Sequence, residues 1–269
     1  ELAWDKVATN KGCAGVDRET IAQFGRQKQQ KLAKLIQQVA RGAYRPLPLR
    51  QIAIPKKQGG WRILRVPTVR DRIVQQALLN VLHPVMEPQF EPESYAYRPG
   101  RSHKLAVEKV TAWHRQGYEW LLDGDIVSYF DNVGLSRLLS EVKERLGKGE
   151  FAETVLWLVG LWTTVPTLTP QGLVIPTEGI AQGSVVSPIL ANIYLDDFDE
   201  ALQGGRFRFV RFADDFVVLG KSRVQAEAAQ VKVAGLLNDM GLRLHPDKTR
   251  IASFEQGFRF LGHAFVGDL

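Results

Sequence analysis

Two adjacent carboxylates, Asp214 and Asp215, lie between two short β-favouring runs, Phe209 to Ala213 and Phe216 to Leu219. Together these read as a hairpin whose two-residue turn is the acidic pair itself. Such turns are usually Asn-Gly or Asp-Gly, because the central residues need positive φ, and adjacent like charges gain nothing there. A turn that breaks local rules points to function, and two carboxylates on a rigid turn suit hard divalent cations such as Mg²⁺. The plain alternative is a solvated acidic turn. The chain's other acidic pair in a comparable setting, Asp196-Asp197, follows the apolar run Ile189 to Leu195 and reads as an ordinary solvated helix face. A third acid, Asp125, follows the β run Tyr118 to Leu122. If Asp125 ends a strand beside the hairpin, three carboxylates converge at one sheet edge. Their repulsion is costly unless cations neutralise it. Two Mg²⁺ ions about 4 Å apart can activate an attacking hydroxyl and stabilise the leaving oxygen of an in-line phosphoryl displacement.

That chemistry is mostly positioning and charge stabilisation, so it calls for basic groups and backbone donors near a triphosphate. Between Arg41 and Arg72 lie nine basic residues against one acid, Asp71, giving this segment net +8 and the rest of the chain net −2. Such local basic density is a footprint for polyanions, nucleic acid above all. Pro46, Pro48, Pro55, Gly59, Gly60 and Pro67 exclude a long solvated helix. Gln51 to Ile54 and Trp61 to Leu64 instead flank a basic tip, Pro55 to Gly60, as a β-hairpin. Gly179 to Ser184 supplies small residues that let backbone approach a ligand closely.

The remaining elements place these groups. Leu32, Leu35, Ile36 and Val39 recur at helical spacing before Gly42. Ile73, Val74, Ala77, Leu78, Val81 and Leu82 mark a second helix with Thr68 as its N-cap. Helices follow over 103–114 and over Leu135 to Leu146, the latter stopping at Gly147. The segment 151–180 reads as a helix and then strands or a loop. Ser187-Pro188 opens the helix Ile189 to Leu202. Ala229, Val233, Leu236, Leu237 and Met240 mark another, and Leu242 to His245 and Phe258 to Phe265 read as final strands. The order is that of an α+β sheet layered on helices.

At 269 residues and 45% hydrophobic content, the chain can bury a sizeable core as one large domain or two subdomains. Its single cysteine, Cys13, excludes an internal disulfide framework and fits a reducing cytosol. The longest apolar run, near Val155 to Val165, falls short of the roughly 20 residues that span a bilayer. No signal segment is evident at the start, so neither export nor a membrane is expected. Opening on Glu1 rather than Met, the chain reads as a piece of something longer.

An ordered series of motifs resembles the reverse transcriptases of the group II intron lineage: IPKKQGGWRILRVPTVRDRIVQQAL (54–78), YAYRPGRSH (95–103), DIVSYFD (125–131), AQGSVVSPILANIYL (181–195), FADD (212–215), GLRLHPDKT (241–249) and FLG (260–262). The resemblance covers most of the chain. It implies a right-hand polymerase in which a ferredoxin-like palm sheet packs on helices. Fingers would occupy 1–115, the first palm strand and its aspartate 116–131, a fingers/palm connection 132–180 and the remaining palm 181–269. The helical thumb that follows in the family is expected to be absent, and processive synthesis by this piece alone is not expected.

By the same resemblance, Asp125, Asp214 and Asp215 are the metal-binding aspartates, with the Ile126 carbonyl as a further ligand. The cofactor would be two Mg²⁺ ions, with Mn²⁺ as a substitute. Phe130 matches the residue that closes the pocket beneath the sugar C2′, excluding a 2′-hydroxyl and selecting dNTPs. Gln182 and Gly183 match the motif that packs on the incoming nucleotide and template, and Lys56 (or the adjacent Lys57) and Arg62 the basic groups over the triphosphate. Lys248 resembles the lysine proposed in the family to protonate leaving pyrophosphate, though it also reads as a plain surface charge. Arg98 and Arg101 read as template-backbone contacts or structural ion pairs. Partners would be an RNA template, a nucleic-acid primer and dNTPs, in a bacterial cytoplasm.

Two positions depart from the family pattern: Phe212 stands where tyrosine is usual, and Ala181 where proline is. The Gln182 to Pro188 pattern argues against diversity-generating retroelement enzymes, and the lack of Val-Thr-Gly near Phe260 against retrons. The AQGSVVSPILANIYL and FADD forms are similar to reverse transcriptases of CRISPR adaptation, which implies an integrase fusion or partner and spacer acquisition from RNA. The alternative is a maturase-type RNA-binding protein that keeps the fold for intron RNA. RNA synthesis on the same palm is disfavoured by Phe130.

Overall fold

The computed structural model describes residues 1–56 and 59–266. In chain order its elements are α1 (Leu2–Thr9), α2 (Ile21–Arg26), α3 (Lys28–Ala40), β1 (Leu49–Pro55), β2 (Trp61–Val66), α4 (Val69–Met86), α5 (His103–His114) and β3 (Trp120–Asp125). There follow α6 (Leu135–Leu146), α7 (Glu150–Thr163), β4 (Thr167–Thr169), β5 (Gly172–Val174), α8 (Ser187–Leu202), β6 (Arg208–Phe212), β7 (Asp215–Gly220), α9 (Arg223–Asp239), β8 (Arg250–Ser253), β9 (Phe258–Phe260) and β10 (His263–Phe265). No helix among the described residues is long and apolar enough to cross a membrane.

The chain forms two compact units. The first comprises Glu1–Pro88 and Leu135–Leu190, the second Gln89–Gly134 and Ala191–Leu269, so one boundary falls inside α8. Residues 89–115, grouped with 1–88 in the sequence division, belong to the second unit, where α5 packs on β6.

In the first unit the sheet order is β2-β1-β4-β5, with β1 and β2 antiparallel and Pro55 facing Trp61. Lys57 and Gln58 of the expected basic tip lie outside the described residues. Helix α4 starts as its sequence demands: the Thr68 side chain accepts from Asp71 N–H, and the Asp71 carboxylate, buried, accepts from Thr68 Oγ1 (2.6 Å), Tyr44 O–H (2.8 Å) and Leu47 N–H (3.0 Å). Trp162 Nε1 donates to the Tyr44 oxygen at 3.2 Å, tying α7 into this network. The one acid of the basic segment is therefore a structural anchor.

In the second unit the sheet order is β6-β7-β3-β8 and every pair is antiparallel. With α8 and α9 between strands, this is the βαββαβ ferredoxin-like arrangement. Helix α9 packs against β3, β7 and β8. Val210, Val217, Leu121, Leu219 and Ala252 share a core with Ala106 and Val110 of α5 and with Phe254, Phe258, Phe260 and Phe265.

Four expectations are corrected. The hairpin turn is Ala213-Asp214, because Phe212 pairs with Asp215, which therefore opens β7. Leu242 to His245 forms no strand; Leu244 makes one bridge to Ile126, and the strand lies further on, at β8. Phe258 to Phe265 is not one strand but two that pair with each other, β9 and β10. Asp196 is buried and Asp197 half-buried, so that pair is no solvated face. Helices α1 and α2, short and with few periodic positions, had no reading from sequence.

Gly124 pairs with Phe216 across β3 and β7, and a Cβ there would lie 2.5 Å from the Phe216 ring. The aromatic ring thus fills the space that the missing side chain leaves. Gly124→Ala is expected to cost about 1–3 kcal/mol through overpacking, read as a lower unfolding midpoint in urea. Gly235→Ala in α9, where nothing lies within 4 Å, is the control; it should gain up to about 1 kcal/mol from helix propensity. Equal effects would contradict the packing account.

Candidate active site

Strand register brings the acids together. Asp125 ends β3 opposite Asp215 of β7, and Asp215 faces Phe212 of β6, so these three side chains share one row on one sheet face. Asp214 sits in the adjoining turn. The preceding residue, Ala213, is buried with φ +60°, a left-handed conformation that alanine rarely adopts.

Beyond Asp125 the chain is clamped rather than released. Val127 N–H donates to the Arg243 carbonyl (3.0 Å) and His245 N–H to the Asp125 carbonyl (2.8 Å). This bridge leaves the Ile126 carbonyl outside its own bonding pattern. The same clamp anchors the loop that carries Lys248, whose Nζ donates to Asp125 Oδ2 at 2.9 Å. That bond raises the Lys248 pKa above its ordinary value, keeping the ammonium charged. Lys248 is thus paired with a candidate ligand, although 59% of its side chain is exposed.

Asp215 has a pKa pushed up to about 6, first by desolvation, then by the charges of Asp214 and Asp125, with Lys248 opposing. The residue as a whole remains exposed, so the repulsion by its two acidic neighbours is what a bound cation would relieve. Among the described residues no three His, Cys, Asp or Glu side chains are gathered closely enough to hold a metal ion. The acids are placed by register but not drawn together, and Lys248 engages Asp125. The donor set, carboxylate oxygens with a carbonyl beside them, fits Mg²⁺ or Mn²⁺ once Lys248 releases Asp125.

Phe130 lies in the short 3₁₀ turn Tyr129–Asn132, after Ser128 at φ +42°. Tyr129 is fully buried and donates to the Ala191 carbonyl, while Phe130 is half-buried with its ring 5.6 Å from that of Tyr129. A side chain anchored on one flank and open on the other suits a pocket wall better than a core position.

The remaining expected residues belong to the first unit. Lys56 and Arg62 are exposed, Arg62 pairing with Ile54 across the hairpin. The Gln182 carbonyl accepts from Arg65 N–H at 2.7 Å, tying the 179–184 loop to β2. Gly183 has φ +103° and its backbone runs beside Arg65, where a Cβ would meet the carbonyl at 3.3 Å. Ser184 Oγ and Val185 N–H both donate to Gln75 Oε1 at 3.0 Å, fixing the far side of the loop.

Several other arginines have structural posts. Buried Arg98 donates to the carbonyls of Glu91, Ser94 and Phe90, and Arg101 to that of Pro92. Arg45, Arg50, Arg70 and Arg72 likewise donate to backbone carbonyls, so the net +8 segment is only partly a polyanion surface.

Sequence reasoning missed the group beneath the turn. Arg211 is 1% exposed and donates to Asp199 through Nε (2.7 Å) and Nη2, to Ser94 Oγ (2.8 Å), to Asn192 Oδ1 (3.3 Å) and to the Ala213 carbonyl (3.0 Å). Asp199 is fully buried; burial raises its pKa, against the pull of Arg211. The signal was an arginine inside an apolar strand together with Asn192, Asp196 and Asp199, spaced i, i+4, i+7 on α8.

A ferredoxin-like sheet with one acid facing a second across its central pair and a third in the adjoining turn is an arrangement that suits the palm of a nucleotidyl-transferring polymerase. Residues 54–265 match the family described as reverse transcriptase (RNA-dependent DNA polymerase), and the chain belongs to that family. It is 34% identical over 272 residues to protein YkfC of Escherichia coli (strain K12), covering 84% of this chain and 68% of YkfC. It is 28% identical over 218 residues to the group II intron-encoded protein LtrA of Lactococcus lactis subsp. cremoris, covering 78% of this chain but 34% of LtrA. Apo telomerase from Candida tropicalis, truncated from its C-terminal domain, shares the fold: TM-score 0.65 at 13% identity, over 85% of this chain and 56% of that one. The fingers-and-palm fold and the reverse-transcriptase family implied by the motifs are thereby borne out.

A raised Asp215 pKa has a signed consequence. The folded state holds this proton more tightly than the unfolded chain, so without added cation stability falls as pH rises from the ordinary carboxylate range to about 6. Mg²⁺ competes with that proton, so its stabilising effect should grow as pH rises through about 6. Thermal unfolding across pH 4–8 with and without Mg²⁺ checks this. Asp215→Asn should remove both trends, and their persistence would contradict the assignment.

Proposed function

We propose that the chain is the fingers-and-palm part of an RNA-directed DNA polymerase that adds dNTPs to a primer 3′-hydroxyl on an RNA or DNA template. The observation that carries this reading is the register placing Asp125 opposite Asp215 with Asp214 in the adjoining turn. Bound there, two divalent cations would supply activation of the attacking hydroxyl and charge stabilisation of the leaving oxygen. The protein's own groups do the rest. Asp125, Asp214, Asp215 and the Ile126 carbonyl hold the charge-bearing centre. Lys56 and Arg62 neutralise the triphosphate, and Gln182 and Gly183 support the incoming base and the template. Phe130 excludes a 2′-hydroxyl, and Lys248, released from Asp125, is a charged donor for departing pyrophosphate.

The narrower assignment to CRISPR adaptation, with an integrase as fusion or partner and RNA as the source of spacers, is supported by the AQGSVVSPILANIYL and FADD forms. A second reading, an intron maturase that binds RNA without synthesis, accords with the likeness to LtrA, which is intron-encoded. Retention of all three acids favours the enzyme.

In the full-length protein, a primed RNA template with Mg²⁺ should be extended with dNTPs and not NTPs. Asp214→Ala with Asp215→Ala should abolish extension; survival of activity would sink the site assignment. Phe130→Ala should admit NTPs, and unchanged sugar selectivity would remove Phe130 as the gate.

A further inference from the structure

We infer that Arg211 is the positioning residue of the acidic turn, its guanidinium holding Ala213 in the left-handed conformation that aims Asp214 and Asp215. This rests on the proposed function of those acids. Arg211 lies on the opposite sheet face from the acids, one register step inward, paired with Phe216. All five of its N–H donors are engaged: Nε and one Nη2 hydrogen on Asp199, the other Nη2 hydrogen on Ser94, and the two Nη1 hydrogens on Asn192 and the Ala213 carbonyl. Four of these bonds fix the guanidinium to side chains of α8 and of the 93–95 segment. The fifth reaches the turn.

The acceptors are themselves fixed. Asn192 Nδ2 donates to the Ala96 carbonyl at 2.9 Å, so its oxygen is left to face Arg211. The Arg211 backbone accepts from Tyr95 N–H and donates to the Glu93 carbonyl, each at 2.9 Å, so that segment runs as an added partner along β6. Burial opposes the Arg211 charge, but Asp199 more than offsets it, and the guanidinium pKa stays above its ordinary value. The fork is therefore a permanent, rigid cation.

The need for such a brace is local. Ala213 at φ +60° carries a Cβ against the following carbonyl, a conformation that glycine would adopt without strain. Glycine here would also let the turn move. Alanine held by Arg211 gives one turn geometry, and with it one direction for each carboxylate. Lysine could replace the charge opposite Asp199, but it lacks the planar fork that reaches the Ala213 carbonyl at the same time.

The test uses the full-length protein. Arg211→Met with Asp199→Leu removes the buried pair together and leaves no lone charge inside. Arg211→Lys keeps the charge, and so serves if the first variant does not fold. Each is measured for urea unfolding, Mn²⁺ affinity by the electron paramagnetic resonance of free Mn²⁺, and primer extension. Folded variants should lose about 10–100-fold in Mn²⁺ affinity or kcat, the range for an outer partner of a metal site, with KM for dNTP little changed. Adding Ala213→Gly should restore part of both, because glycine reaches positive φ without the brace. A folded variant with parental Mn²⁺ affinity and kcat would overturn the inference. So would an added Ala213→Gly change that restores stability but neither of the other two quantities. Retained extension in the Asp214→Ala, Asp215→Ala protein would instead defeat the underlying function.

Discussion

Like charges facing each other across a sheet are the constraint on which the second unit depends. Asp125 and Asp215 are direct cross-strand partners and Asp214 adjoins them, an arrangement that destabilises an ordinary sheet. Burial raises the Asp215 pKa first, and the repulsion of Asp214 and Asp125 raises it further. Neighbouring elements offset or contain it: Lys248 pairs with Asp125, the bridge at Ile126 keeps β3 extended past its last ladder pair, and Gly124 admits the Phe216 ring beneath the row. On the opposite face, Arg211 fastens the turn to α8. Repulsion at the edge is thus contained by packing and hydrogen bonding below.

Each unit carries its own candidate groups. The second holds the acids and their brace. The first holds the exposed hairpin cations Lys56 and Arg62 and a loop, 179–184, bound to β2 and to Gln75. Several other arginines of the basic segment are engaged within the fold. Arg45, Arg50, Arg70 and Arg72 spend donors on backbone carbonyls, where an ordered loop would otherwise leave acceptors unmet.

Much of this was legible in the sequence, for physical reasons. Helices with clear caps and periodic faces, such as α4 behind Thr68 and α6 before Gly147, announce themselves, and the βαββαβ order follows from the alternation of periods. The acids stand out because Asp-Asp contradicts its setting. Yet the sequence puts the turn one residue late, since nothing local reveals that Ala213 takes positive φ. That conformation depends on Arg211, whose other partners lie 12 to 117 positions away. Asp196 and Asp199 were hidden for the same reason: an acidic run on a helix reads as solvated until its partners are known. Strand β8 lacks a clean alternation and is defined by its pairing with β3.

We propose that register, not side-chain convergence, preassembles a divalent-cation site, and that Lys248 holds Asp125 until the cation arrives. Crystals of the full-length protein soaked in Mn²⁺, measured at the manganese absorption edge, test it most directly. An anomalous peak should appear in contact with Asp125, Asp214 and Asp215, with the Lys248 ammonium displaced from Asp125. A peak elsewhere, or Lys248 still bonded to Asp125 beside an occupied site, would contradict it.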